Sequence, residues 1–193
     1  AVPTLESLCK SNHQVLGVYT QPDKPVGRKQ ILTPPDVKVC AEKYNLPVYQ
    51  PVSLKNEEVY QEIKSINPDV IVVVAYGKIL PPDILEIPKY GCINVHGSLL
   101  PQYRGASPIQ HSVLNGDKIT GVTTMYMGEG LDTGDILLKS KTEIGENETS
   151  AELFDRLSLM GADLLIETLK AVEKAKVAAE NPKKATKPAT WIK

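Results

Sequence analysis

The segment DVIVVVAY, Asp69 to Tyr76, decides the fold. From Val70 to Ala75 every residue is apolar, and all but the last are β-branched. Such a run has neither the alternation of a half-wet strand nor the length of a helix, and it is expected of a parallel strand covered by helices on both faces. Working outward, EEVYQEIKSI (Glu57 to Ile66) has helical spacing before it, and GCINVH (Gly91 to His96) reads as the next strand. Upstream lie QVLGVYT (Gln14 to Thr20) as a strand, VKVCAEKY (Val37 to Tyr44) as a helix and PVYQ (Pro47 to Gln50) as a short strand. Val2, Leu5 and Leu8 recur at helical spacing with Pro3 in the first turn, so the chain opens inside a helix.

Downstream, PIQHSVLNG (Pro108 to Gly116) reads as a helix with Ser107 as its N-cap, followed by strands over Thr120 to Met127 and Asp135 to Ile144. A capping box, Thr149 with Glu152, starts the last helix, whose stripe of Leu153, Phe154, Leu157, Met160, Leu164, Leu165, Leu169 and Val172 is expected to be core packing. The alternation predicts an α/β fold, an open and mostly parallel sheet flanked by helices, with ligands beyond the carboxyl ends of its strands. A doubly wound sheet normally has a central first strand. None is read ahead of the first helix, so a chain truncated or incompletely resolved at its start is expected. Residues 1–177 form one catalytic domain in this reading, and the Lys- and Pro-rich stretch 178–193 a linker.

Composition narrows the function classes. With 41% hydrophobic and 23% charged residues and a net charge of -1, the 193-residue chain suits a single globular domain with no global pull toward nucleic acid or membrane. Cys9, Cys40 and Cys92 lie far apart, without metal-ligand spacing, which points away from a disulfide framework and a zinc finger. No apolar run is long enough for a membrane span and no charged-then-apolar leader is read, so a cytoplasmic setting is expected.

Three segments carry candidate chemistry. In INVHGSLLPQYRGASPIQ (Ile93 to Gln110), Asn94 and His96 sit two apart on a strand and therefore point to one side at its carboxyl end. The loop that follows enters a helix whose first amides, with Arg104, suit an anionic group. GEGLDTGD (Gly128 to Asp135) brings Asp132 to a glycine-rich turn between strands; its G-x-G is a weak dinucleotide signal because no helix follows. AYGKILPP (Ala75 to Pro82) leaves the most buried strand, where an apolar slot is expected. Each alone reads equally as a cap, a turn or a hydrogen-bonded core residue.

Together with QPDKPVGR, the segments VVVAYGKILP, GCINVHGSLLPQYRGASPIQ and TGVTTMYMGEGLDTGDIL resemble the folate-dependent formyltransferases, over nearly all of the chain from Ala1 to about Lys176. The resemblance implies a Rossmann-like catalytic domain that moves the formyl group of 10-formyltetrahydrofolate to an amine, using Asn94, His96 and Asp132. It implies a folate held by Ile79, Leu80, Ser98, Leu99, Leu100, Pro101, Gly128, Gly130 and Leu131, largely through backbone. The spelling of the motifs favours initiator methionyl-tRNA as the amine, hence translation initiation, with Lys24, Arg28, Lys29 and Arg104 toward the tRNA. Similar proteins carry a strand and a tight turn before AVPTL and a β-barrel domain after the linker; without them tRNA binding is expected to be weak, because little phosphate charge is neutralised. A monomer without metal is expected.

The residue types suit the reaction: an amide and an imidazole can stabilise a developing oxyanion, and a carboxylate can take the amine proton. No covalent intermediate is needed. The rivals are a formyltransferase acting on a small amine such as glycinamide ribonucleotide or an amino sugar nucleotide, a formyltetrahydrofolate hydrolase or dehydrogenase domain, and a noncatalytic folate- or RNA-binding fragment. A metal site from His96, His111 and Asp132 is a sparse fourth.

Overall fold

In the computed structural model of the chain, residues 1–180 are described in backbone and residues 1–175 in side chain. The last helix runs on to Glu180, so the linker expected over 178–193 is helical in its first three residues, and the rest of it lies outside the described residues. The elements run α1 (Val2–Cys9), β1 (Val18–Tyr19), β2 (Lys24–Val26), β3 (Ile31–Thr33), α2 (Asp36–Lys43), β4 (Val48–Tyr49), α3 (Glu57–Ile66), β5 (Ile71–Val73), α4 (Pro82–Leu85), β6 (Cys92–His96), α5 (Pro108–Leu114), β7 (Ile119–Tyr126), β8 (Ile136–Glu143) and α6 (Ser150–Glu180).

Strands β5 to β8 form one sheet in sequence order. Pairing is parallel between β5 and β6, then antiparallel between β6 and β7 and between β7 and β8. Short β1 pairs in parallel with β4. The parallel character expected of the sheet therefore stops at β6: β7 runs back against it although the long segment with α5 lies between them, and the shorter connection after β7 turns the chain back again into β8. The α/β class read from the sequence stands.

The long apolar stripe of α6 covers one face. Leu165, Leu169 and Val172 pack with Ile93, Leu137, Val72 and Val95, while Leu153, Leu157 and Leu164 pack with Val122 and Ile109. Gly161 permits this approach, since a Cβ there would lie 2.9 Å from the Val95 side chain. The capping box forms as expected: Glu152 N donates to Thr149 Oγ1 at 3.2 Å, and Thr149 N to Glu152 Oε2 at 2.9 Å. Ser107 does occupy the N-cap position of α5, but its side chain makes no cap bond. On the other face, Val59 and Ile63 of α3 and Ile84 of α4 pack with Cys92.

DVIVVVAY contributes only Ile71–Val73 to the strand proper, and these residues are half-buried rather than covered. The reason lies at their other edge. Among the described residues no strand pairs with that edge of β5, nor with the edge of β1 away from β4. The two edges face each other across a cavity of about 500 Å³ walled by Gln14 to Gln21 on one side and Pro68 to Tyr76 on the other. Gln21 Nε2 donates to Tyr76 O at 2.6 Å, so the carboxyl ends of β1 and β5 sit side by side and the strands run the same way.

Candidate active site

Alternation along β6 decides which side chains reach the site. Ile93 and Val95 point to α6, so Asn94 and His96 share the opposite face with Cys92. Cys92 lies under α4, whereas Asn94 and His96 lie beyond it, at the carboxyl end of the strand. There the loops 97–107 and 127–135 close over them in place of a helix.

The turn between β7 and β8 delivers Asp132. Tyr126 N donates to Asp135 O at 2.9 Å, and Gly134 is pressed against the Tyr126 carbonyl where any Cβ would overlap it. Asp132 itself adopts φ +49°, a left-handed conformation that Asp tolerates better than most residues. Its carboxylate comes to three partners. Oδ2 accepts from Gly105 N at 2.6 Å and lies 3.7 Å from His96 Nδ1, while Oδ1 is 3.5 Å from Asn94 Nδ2. Both ring and carboxylate are nearly enclosed, at 7% and 10% side-chain exposure. The contacts to His96 and Asn94 are longer than a tight hydrogen bond, leaving the three groups together but not locked.

The other side of the imidazole is tied down. His96 Nε2 lies 2.9 Å from Tyr103 O, and because a carbonyl can only accept, the proton sits on Nε2 and Nδ1 is turned to Asp132. The loop is braced in turn by Thr123, which donates to Ser98 O at 2.7 Å and accepts from Leu100 N at 3.1 Å, and by Lys139, whose ammonium donates to Leu100 O. The Leu100–Pro101 peptide is cis.

The remaining expected residues divide. Ser98 is buried and its hydroxyl donates to Gln102 O at 2.5 Å. Leu99 packs over Gly121, where a Cβ would lie 2.7 Å from its Cδ2. Leu80 and Leu100 are buried, Pro101, Gly128 and Gly130 are exposed, and Ile79 and Leu131 stand largely bare. Leu131 reaches the neighbourhood of Gly105, and so of Asp132. Arg104 is exposed between Tyr103 and Gly105, the two residues whose backbones hold the site. Lys24, Arg28 and Lys29 are exposed on a feature unread in the sequence, the β2–β3 hairpin. Lys38 roots that hairpin: its ammonium donates to both oxygens of Asp23 at 3.1 Å and to Gln50 at 2.9 Å. His111 stacks on Tyr103 rather than joining His96, and among the described residues no three His, Cys, Asp or Glu side chains gather as a metal site.

Tyr103, Gly105 and Thr123 are the contributors that sequence reading misses. The first two act through backbone atoms, which leave no trace in residue type. Thr123 has a faint signal, the hydroxyl pair TT in the middle of the buried strand β7.

An α/β sheet flanked by helices, with an amide and an imidazole at the carboxyl end of an inner strand, is a Rossmann-like domain. The chain belongs to the formyl transferase family, whose pattern matches residues 2–169. It is 55% identical over 180 residues to a methionyl-tRNA formyltransferase of Clostridioides difficile, covering 93% of this chain and 58% of that protein. It is 61% identical over 170 residues to one of Caldicellulosiruptor saccharolyticus, covering 88% and 55%. The chain thus spans little more than half the length of these relatives. Among solved structures, phosphoribosylglycinamide formyltransferase from Anaplasma phagocytophilum superposes with a TM-score of 0.75 at 20% identity, over 90% of this chain and 83% of that one. At that identity the likeness shows the fold.

Proposed function

We propose that the chain is the catalytic part of an enzyme that transfers the formyl group of 10-formyltetrahydrofolate to the amino group of initiator methionyl-tRNA, in the cytoplasm and as a monomer. The observation that carries this reading is the approach of the Asp132 carboxylate to Asn94 at 3.5 Å and to His96 at 3.7 Å in a member of this family. The identities of 55% and 61% to methionyl-tRNA formyltransferases support the choice of amine.

The folate supplies an activated formyl carbon; this chain's residues do the rest. The Asn94 amide and His96 Nδ1 face the space before the carboxylate; because Nε2 already holds one proton, Nδ1 donates only from the doubly protonated imidazolium, and in that form ring and amide together can stabilise negative charge growing on the formyl oxygen. One such donor is worth on the order of 10²- to 10³-fold in rate. Asp132 accepts the proton of the attacking amine, directly or through a water, an effect of about 10²- to 10⁴-fold. A covalent route is disfavoured by the chain itself. Burial pushes the Cys92 thiol up to about 12, leaving almost no thiolate at neutral pH, and the Ser98 hydroxyl is engaged by Gln102. The bare side chains of Ile79 and Leu131 suit a flat ring system, so the residues present fit the folate. The Lys24, Arg28 and Lys29 hairpin and Arg104 suit phosphates of the tRNA, an affinity that falls with salt.

The test is incubation of the purified chain with 10-formyltetrahydrofolate and charged methionyl-tRNA at low salt. Formyl-methionyl-tRNA is expected from the parent, and about 10²- to 10⁴-fold less from Asp132→Ala. Equal rates for the two, or faster formylation of glycinamide ribonucleotide than of methionyl-tRNA, overturns the reading.

A further inference from the structure

Tyr103 is built into the loop twice. Its backbone carbonyl holds His96 Nε2 at 2.9 Å. Its phenol, at the far end of the side chain, is clamped to the turn between α5 and β7, donating to Asp117 Oδ2 at 2.6 Å and accepting from Asn115 Nδ2 at 2.9 Å. The ring stacks on His111 at a centroid distance of 5.9 Å and an angle of 14°. The backbone between these two attachments is in a conformation that an aromatic residue rarely takes, φ +53°. Such a conformation persists only where the surroundings over-determine it. Without the clamp, the residue relaxes toward ordinary φ, and the carbonyl swings off the imidazole.

We propose that the Tyr103 phenol and Asp117 are positioning residues for the transfer reaction: clamping the side chain to the α5–β7 turn fixes the Tyr103 carbonyl, which in turn fixes the tautomer and aim of His96. The inference rests on the reading of His96 given above. The charge state of the phenol is consistent with the donor role. Donation from Asn115 is the largest influence and favours the ionised form, but the Asp117 carboxylate and burial together hold Tyr103 above its ordinary value, so it keeps its proton. The same loop carries Gly105 N onto Asp132 two residues later, so one clamp serves both the imidazole and the carboxylate. Arg104 between them is not needed for the clamp.

The decisive variants are Tyr103→Phe, which keeps the ring and its stack on His111 but removes the donor, and Asp117→Ala, which removes the acceptor. Each is expected to lower kcat about tenfold while KM for folate and for tRNA moves less than about twofold, since displaced catalytic groups cost rate rather than binding. The double variant is expected to lose no more than either single one, as for two halves of one interaction. Asp117→Asn, which still accepts from the phenol, is expected to recover most of the loss. A readout independent of turnover is the ¹⁵N spectrum of the His96 ring, assigned against His96→Gln. The parent is expected to show a single Nε2-protonated tautomer, and Tyr103→Phe and Asp117→Ala a mixture. A Tyr103→Phe ring spectrum identical to the parent's overturns the proposal, as does loss of kcat in Tyr103→Phe that Asp117→Ala fails to reproduce. Should His96→Ala turn over at the parental rate, the reading of His96 fails instead, and the ring spectra still decide whether the clamp aims the imidazole.

Discussion

On one flank of the molecule, β6, β7 and β8 are paired along their lengths with a single register shift at Thr124/Met125, sealed by α6 on one face and tied by Thr123 and Lys139 to the loop that bears the site. On the other flank, β1 and β5 leave their facing edges unpaired across a cavity of about 500 Å³ whose lining includes none of Asn94, His96 and Asp132. The difference lies in whether a neighbouring strand is there to take the backbone groups and to close the side chains over. The flank with the chemistry is the complete one, as a site that must hold three polar groups to within fractions of an ångström requires.

The comparison breaks most easily in the core. Leu165 is fully buried against Ile93 and Leu137, so Leu165→Ala is expected to cost about 2–5 kcal/mol in denaturant unfolding. Val72 lies in the wall of the cavity, where part of its surroundings is already empty, and Val72→Ala is expected to cost about 1 kcal/mol or less. Equal costs for the two would mean that the flanks are equally well packed in solution.

Next in size is a contrast in backbone protection. Val18 N and Thr20 N donate toward β4, and Ile71 N toward β6, so by alternation the amides of Tyr19 and Val72 point into the gap. These are expected to exchange at least about tenfold faster with deuterium than the amides of β6 and β7. Slow exchange at Tyr19 and Val72 would show that the gap closes in solution.

The same contrast explains what the sequence discloses. The apolar stripe and the Thr149–Glu152 box specify α6 by local rules alone, and N-x-H on a strand fixes which side Asn94 and His96 share. These are legible because one segment's own pattern suffices. The extent of β5 is not, because Ile71–Val73 pair only as far as a neighbour exists, and Ala75 at φ +50° then turns the chain away. The β2–β3 hairpin is hidden for a different reason: KPV and ILT are too short and too exposed to show a period, and only Gly27 at φ +73° marks the turn. The aim of His96 is least legible of all, since it is set by the carbonyl of Tyr103 and every residue has a carbonyl.

The smallest expected effect sharpens the comparison at the outer edge of the complete flank. Arg156 donates to both oxygens of Glu148 at 2.8 and 2.9 Å, to Glu143 O at 2.7 Å and to Thr142 Oγ1, pinning the end of β8 to α6. The guanidinium, with a further bond from Gly145 N, holds the Glu148 carboxyl below its ordinary value. A carboxylate lowered on folding adds stability above its unfolded value and loses it as pH falls through the folded one. Arg156 is 39% exposed in its side chain, so solvent screening keeps the contribution to about 1 kcal/mol or less. Arg156→Ala is therefore expected to be slightly less stable than the parent at pH 7, and the gap is expected to narrow as pH falls below the ordinary range of a glutamate. A gap that persists unchanged at pH 3 would mean that Arg156 holds the edge through its bonds to Glu143 O and Thr142 alone, with the ion pair contributing nothing.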